Sequence, residues 1–184
     1  MTLTETPICN FGEKAKNFDL TSTENKKTSL DNVKGKNGTL IMFICNHCPY
    51  VKAVIKDIVK DAKYLETLGI KSVAIMSNDI ENYPEDSFDN MISFSKTHNF
   101  AFPYLIDDTQ KIAKDYDAVC TPDFFGYNKN LELQYRGRIR ELKDLKPISK
   151  GDSDLRTAME LVAKSGKGPK NQTPSMGCNI KWFK

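Results

Sequence analysis

The strongest constraint on this chain is the run Thr39-Leu40-Ile41-Met42-Phe43-Ile44, which shows no alternation and ends directly on Cys45-Asn46-His47-Cys48-Pro49. A continuous apolar run of this length reads as a central strand covered on both faces. Pro49 suits the first turn of a helix, where its missing N–H costs nothing. Beyond it Val51, Val54, Ile55, Ile58, Ala62 and Leu65 recur at helical spacing, while Lys52, Lys56, Asp57, Lys60, Asp61 and Lys63 fall off that stripe. The helix is expected to stop near Leu68-Gly69, with the glycine past its end. Two cysteines two residues apart at a strand-to-helix junction form a redox motif.

The rest of the chain supplies a sheet around that junction. Residues 70–76 form a second apolar strand, so the strand–helix–strand unit predicts a parallel pair with a right-handed crossover. Residues 18–21 and 28–30 read as a hairpin around a polar turn, and residues 31–38 as a loop with one helical turn. Tyr83-Pro84-Glu85-Asp86 starts a helix with acids in its first turn, which suits the helix dipole. Residues 102–106 read as a short strand, and residues 107–109 cap a brief helix. Thr121-Pro122 precedes a hairpin of residues 123–127 and 131–136, and residues 137–150 look like loop. A last helix is capped by residues 151–154. The expectation is an α/β fold, a central mixed sheet flanked by helices with an N-terminal β-hairpin extension, in one domain over residues 1–184. Residues 1–17 show little periodicity. Residues 164–184 hold five lysines and no acid, yet end on Ile180, Trp182 and Phe183, so this basic tail is expected to pack back on the body.

Charge and composition narrow the partners. The 27 basic and 24 acidic residues leave a net charge of +3, too balanced to argue for nucleic acid or a membrane surface. No stretch approaches the roughly 20 apolar residues of a membrane span. The first residues have neither a basic start nor an apolar core, so no signal peptide is expected and the protein is placed in the cytoplasm. Thiols there stay reduced. Cys9, Cys45, Cys48, Cys120 and Cys178 accordingly read as catalytic or structural thiols, not as a disulfide framework. No cofactor is implied.

At a helix N-terminus, unpaired N–H groups favour thiolate over thiol. Cys45, on the exposed side of the turn, would attack a partner disulfide as the nucleophile, and Cys48 would resolve the mixed disulfide. His47, if protonated, would stabilise a neighbouring thiolate; the plainer reading is a solvated loop histidine. A reading of another class is a non-enzymatic soft-metal-binding or redox-sensing module, with Cys45, His47 and Cys48 as ligands and Cys178 as a further one, but no second Cys/His pair completes a closed zinc set and no metal is expected. Two inert buried thiols are the remaining alternative. Thr121-Pro122 is either a turn device or a cis-proline loop packed beside the dithiol.

These motifs together resemble the thioredoxin fold, and within it the redoxins of the alkyl hydroperoxide reductase/thiol-specific antioxidant superfamily. The likeness is carried by residues 45–51, residues 120–125 and residues 177–182, in that order. It is similar in detail to a peroxiredoxin-like group of thioredoxin family proteins. The resemblance implies an antioxidant thiol–disulfide oxidoreductase with Cys45 as nucleophile and Cys48 as resolver. It further implies that Thr121 and Pro122 form a cis-proline loop presenting backbone to a substrate. Cys120 and Cys178 are extra thiols near or shared with that pattern. A protein or small-molecule disulfide, or a hydroperoxide, is the implied partner. The Gly-Pro of true thioredoxins is replaced by Asn46-His47. The peroxidase pattern, Pro seven and Thr or Ser three residues before the cysteine, falls on Gly38 and Met42 before Cys45, and on Ile41 and Cys45 before Cys48.

Overall fold

The computed structural model describes residues 2–7 and 9–184. In chain order the elements are β1 (Leu3–Glu5), β2 (Asp19–Ser22), β3 (Lys27–Ser29), α1 (Leu30–Val33), β4 (Gly38–Phe43), α2 (Pro49–Thr67) and β5 (Ile70–Met76). A 3-10 turn (Pro84–Asp86) leads to α3 (Phe88–Thr97), β6 (Tyr104–Ile106), α4 (Lys111–Asp115), β7 (Cys120–Thr121), β8 (Asp123–Asn128) and β9 (Leu133–Tyr135). The chain continues through β10 (Leu142–Lys143), β11 (Lys146–Pro147), α5 (Asp154–Ser165) and β12 (Met176–Asn179).

The main sheet has seven strands in the order β3-β2-β6-β5-β4-β8-β9. β4 pairs in parallel with β5 and antiparallel with β8, so the apolar run sits at the heart of a mixed sheet, as expected. Its lack of alternation follows from cover on both sides. Leu40, Met42 and Ile44 join Val54, Ile58 and Met159 in a core shared with α2 and α5. Ile41 and Phe43 point the other way, into a core with Leu30, Val33, Ile112 and Ala113 from α1 and α4. The α2 stripe is buried as predicted, and Gly69 at φ 77° takes the left-handed turn that ends the helix.

Two readings need revision. Residues 137–150 are not plain loop: β10 and β11 pair across Asp144 and Leu145, both at positive φ, the backbone of a tight two-residue hairpin turn. The helix expected from Pro84 is two elements. Ser87 has an extended ψ and accepts from the Asn90 N–H, so it caps α3 and leaves Pro84–Asp86 as a separate turn.

The feature without an early counterpart is a second sheet of three strands, β1-β12-β7. β12 lies between β1, near the N-terminus, and β7, with Cys178 opposite both Leu3 and Thr121. Gly177 makes this approach possible: a Cβ there would stand 2.0 Å from the Thr121 carbonyl oxygen. Beyond β12, Ile180 is buried, while Trp182 and Phe183 remain partly exposed. No helix among the described residues is long and apolar enough to cross a membrane.

Candidate active site

The end of β4, the start of α2, the 3-10 turn and the β7–β12 ladder converge on one group of side chains. Cys48 is the residue immediately before α2, with Pro49 as the first helical residue. Its carbonyl accepts the first helical hydrogen bond, from the Lys52 N–H at 3.0 Å. Its sulfur lies 3.1 Å from the Thr121 carbonyl oxygen and 3.0 Å from the sulfur of Cys178. The Cys45 sulfur lies 3.5 Å from Thr121 Oγ1. The Thr121–Pro122 peptide bond is cis. None of the five cysteines is in a disulfide.

The three sulfurs do not share charge equally. Hydrogen bonds from the Cys178 and Cys45 thiols and from the Val51 N–H pull Cys48 far below the ordinary thiol range, against the cost of burial. The hydrogen bond given to Cys48, burial and the nearby Asp86 charge push Cys45 up. The hydrogen bond given to Cys48 raises Cys178 as well, with burial adding to it. The Thr121 carbonyl, 3.1 Å away, works the other way and favours a protonated Cys48. The contacts within the cluster thus favour charge on Cys48 over Cys45 and Cys178.

His47 is not a solvated loop side chain. Its Nδ1 donates to Asp86 Oδ2 at 2.6 Å, and its ring stacks on Tyr83 at 5.8 Å. Asp86 is fully buried and also accepts from the Asn46 N–H at 2.8 Å, the His47 N–H at 3.3 Å and Asn78 Nδ2 at 2.8 Å. Tyr104 OH in turn donates to Asn46 Oδ1 at 2.9 Å. The Asp86 contact raises the His47 pKa above its ordinary 6.5, with the charge near Cys48 adding to it. The loop between the cysteines is thus clamped from the 3-10 turn.

Sequence reasoning grouped Cys45, Cys48, His47, Thr121 and Pro122 together, and the structure assembles them. Cys178, assigned no definite place, belongs to the same cluster. Cys120 is buried, and its sulfur meets the Pro122 carbonyl at 3.6 Å, not a second sulfur; burial raises it far above the thiol range. One placement is corrected. Cys45 is 1% exposed and Cys48 is 0% exposed, so neither lies on an exposed side of the turn. The Thr121 backbone, expected to face a substrate, is laddered to the protein's own β12. Asp86 was missed because the acids after Pro84 read as ordinary helix-start residues; nothing local distinguishes a buried carboxylate that clamps His47, 39 residues away.

Cys45, His47 and Asp86 place their ligand atoms within 4.8 Å of one another. Both Asp86 oxygens, however, are already filled by four donors, and a hydrogen-bond network accounts for the group without an ion.

Residues 11–142 match the AhpC/TSA family. The chain belongs to the AhpC/TSA family. This member is similar over 100% of its length, at 40% identity and a TM-score of 0.94, to an uncharacterized conserved protein from Geobacillus kaustophilus, of which 97% is covered. A hypothetical protein from Sinorhizobium meliloti 1021 is similar over 98% of each chain, at 34% identity and a TM-score of 0.90. The thioredoxin domain of a thiol-disulfide oxidoreductase from Bacteroides vulgatus shares 13% identity over 70% of this AhpC/TSA chain and 89% of its own, at a TM-score of 0.59. That likeness shows the thioredoxin-like fold. No curated protein matches the chain.

Proposed function

We propose that this AhpC/TSA protein is a thiol–disulfide oxidoreductase that cycles Cys45 and Cys48 between dithiol and disulfide. The observation that carries the reading is that both sulfurs converge on Thr121 beside its cis bond to Pro122, Cys45 at 3.5 Å from its hydroxyl and Cys48, at the N-terminus of α2, at 3.1 Å from its carbonyl. In the cycle one sulfur attacks a substrate disulfide, forming a mixed disulfide and releasing one substrate thiolate. The second sulfur then attacks the mixed disulfide, closes Cys45–Cys48 and releases the other. Cys45 is the sulfur assigned to the first attack and Cys48 the resolver. Because burial disfavours charge on Cys45, its proton passes to Cys48 as it attacks, and from Cys48 to the released substrate thiolate before Cys48 attacks in turn. His47 and the helix N-terminus hold negative charge at Cys48, which stabilises the reduced form and makes the pair more oxidising.

A cleft of about 440 Å³ adjoins the site and is lined by Tyr50, Val54, Pro122, Ile139, Leu142 and Met176 among others. It supports a protein or small-molecule disulfide as substrate, approaching beside Pro122. The test is equilibration of the purified chain with glutathione buffers of graded ratio, followed by acid quench and thiol counting. A Cys45–Cys48 disulfide that forms and reduces over the series is expected; no such disulfide at any ratio would sink the reading.

Peroxidase action finds less support, because Gly38 and Met42 stand where the proline and threonine of the usual peroxide site would be. Peroxide consumption by the wild-type chain and by Cys45→Ser decides it, and equal rates would exclude Cys45 from any such activity.

A further inference from the structure

We infer that Cys178 is a third redox thiol of this site, so that Cys48 can close a disulfide with either Cys45 or Cys178. The inference rests on the dithiol reading above and extends it to the strand that covers the site.

The two sulfurs are 3.0 Å apart, roughly 1 Å longer than an S–S bond. They come from residues 130 positions apart, so a specific structure must hold them there. That structure is the ladder of β12 on β7, which sets Cys178 opposite Thr121, the residue whose carbonyl and hydroxyl touch Cys48 and Cys45. Gly177 lets the two backbones close to a distance that no side chain would permit. The N-terminus of α2 serves both sulfurs, the Val51 N–H acting on Cys48 and the Tyr50 N–H on Cys178. Either sulfur therefore has a local donor when it carries charge. Cys120 lacks this arrangement, although it lies next to Thr121 in the chain.

The exchange step balances without an outside oxidant. A substrate disulfide has already oxidised Cys45 and Cys48. The Cys178 thiolate attacks the Cys48 sulfur. The S178–S48 bond forms, the S48–S45 bond breaks, and Cys45 leaves as a thiolate that takes up the proton Cys178 gave up. No electrons are gained or lost. The result frees Cys45 as a thiol while the protein stays oxidised, and it links the start of α2 covalently to β12.

The full-length chain is oxidised with oxidised glutathione, quenched in acid, alkylated and digested with trypsin. Residues 37–52 carry both Cys45 and Cys48, and residues 171–181 carry Cys178, so a Cys178 linkage joins two peptides whereas Cys45–Cys48 stays within one. The joined pair is expected from the wild type, as the main product from Cys45→Ser, and not from Cys178→Ser. Glutathione on Cys48 with Cys178 fully alkylated in Cys45→Ser, together with no joined pair from the wild type, overturns the inference and leaves the Cys45–Cys48 cycle standing. A joined pair from the wild type with no internal disulfide in Cys178→Ser overturns the Cys45–Cys48 cycle instead. The wild-type arm needs no substitution, so a variant that fails to fold does not decide the result.

Discussion

Cys48 is the residue on which the chemistry turns, and its charge can be read directly. In the reduced protein thiolate absorbance in the ultraviolet is expected to persist well below the ordinary thiol range and to disappear in Cys48→Ser. Persistence in Cys48→Ser with loss in Cys45→Ser would move the charge to Cys45. The neighbouring His47–Asp86 contact has its own pH signature. His47 has a folded pKa above its ordinary 6.5, so its contact adds stability that is fully present below about pH 6.5 and is lost as pH rises through the folded value. Urea unfolding of the wild type and His47→Gln should therefore diverge most in mild acid and converge at higher pH; a gap that widens with pH would contradict this. Asp86→Ala removes the shared acceptor of two backbone N–H groups and two side chains and should cost about 2–4 kcal/mol in the same assay. Asp86 was not legible beforehand, since sequence marks an acid near a proline but not the donors that fold around it.

Among the elements, β4, β5 and α2 were legible because each carries its environment in its own pattern: unbroken apolar runs for strands covered twice, a helical stripe for a surface helix. The β1-β12-β7 sheet was not. Its strands are two to four residues long, too short for a period to show, and its pairings join residues more than 50 positions apart. Hence Cys178 could be named from the sequence as an extra thiol or a further ligand, but its 3.0 Å approach to Cys48 follows from a ladder that no pattern announces. The tightest point of that ladder is testable. Gly177→Ala places a methyl group against the Thr121 carbonyl, where backbone cannot yield cheaply, and should cost about 1–3 kcal/mol of thermal or urea stability. An unchanged midpoint would show that β12 is held less closely than its register implies.

For the molecule as a whole, the consequence of burying the dithiol is that reactivity depends on opening. Alkylation of reduced Cys45 and Cys48 by iodoacetamide should be at least about tenfold slower in the native protein than in urea, and faster in Gly177→Ala than in the wild type. Equal native and denatured rates would mean that the cover over the sulfurs is ineffective. The buried Arg136–Asp123 pair at 2.9 Å anchors the residue after Pro122 from the other side. The cis-proline turn is thus held by the Asp123 ion pair as well as by the β12 ladder.

The order of synthesis gives the C-terminal strand a further meaning. Cys48 is translated 130 residues before Cys178, an interval of roughly 6–26 s at about 5–20 residues per second. During that time the growing chain carries its two cysteines without the strand that will cover them. Until β12 has been made, the ladder that sets Cys178 opposite Thr121 cannot form, so the native cover of the two sulfurs is a late product of synthesis.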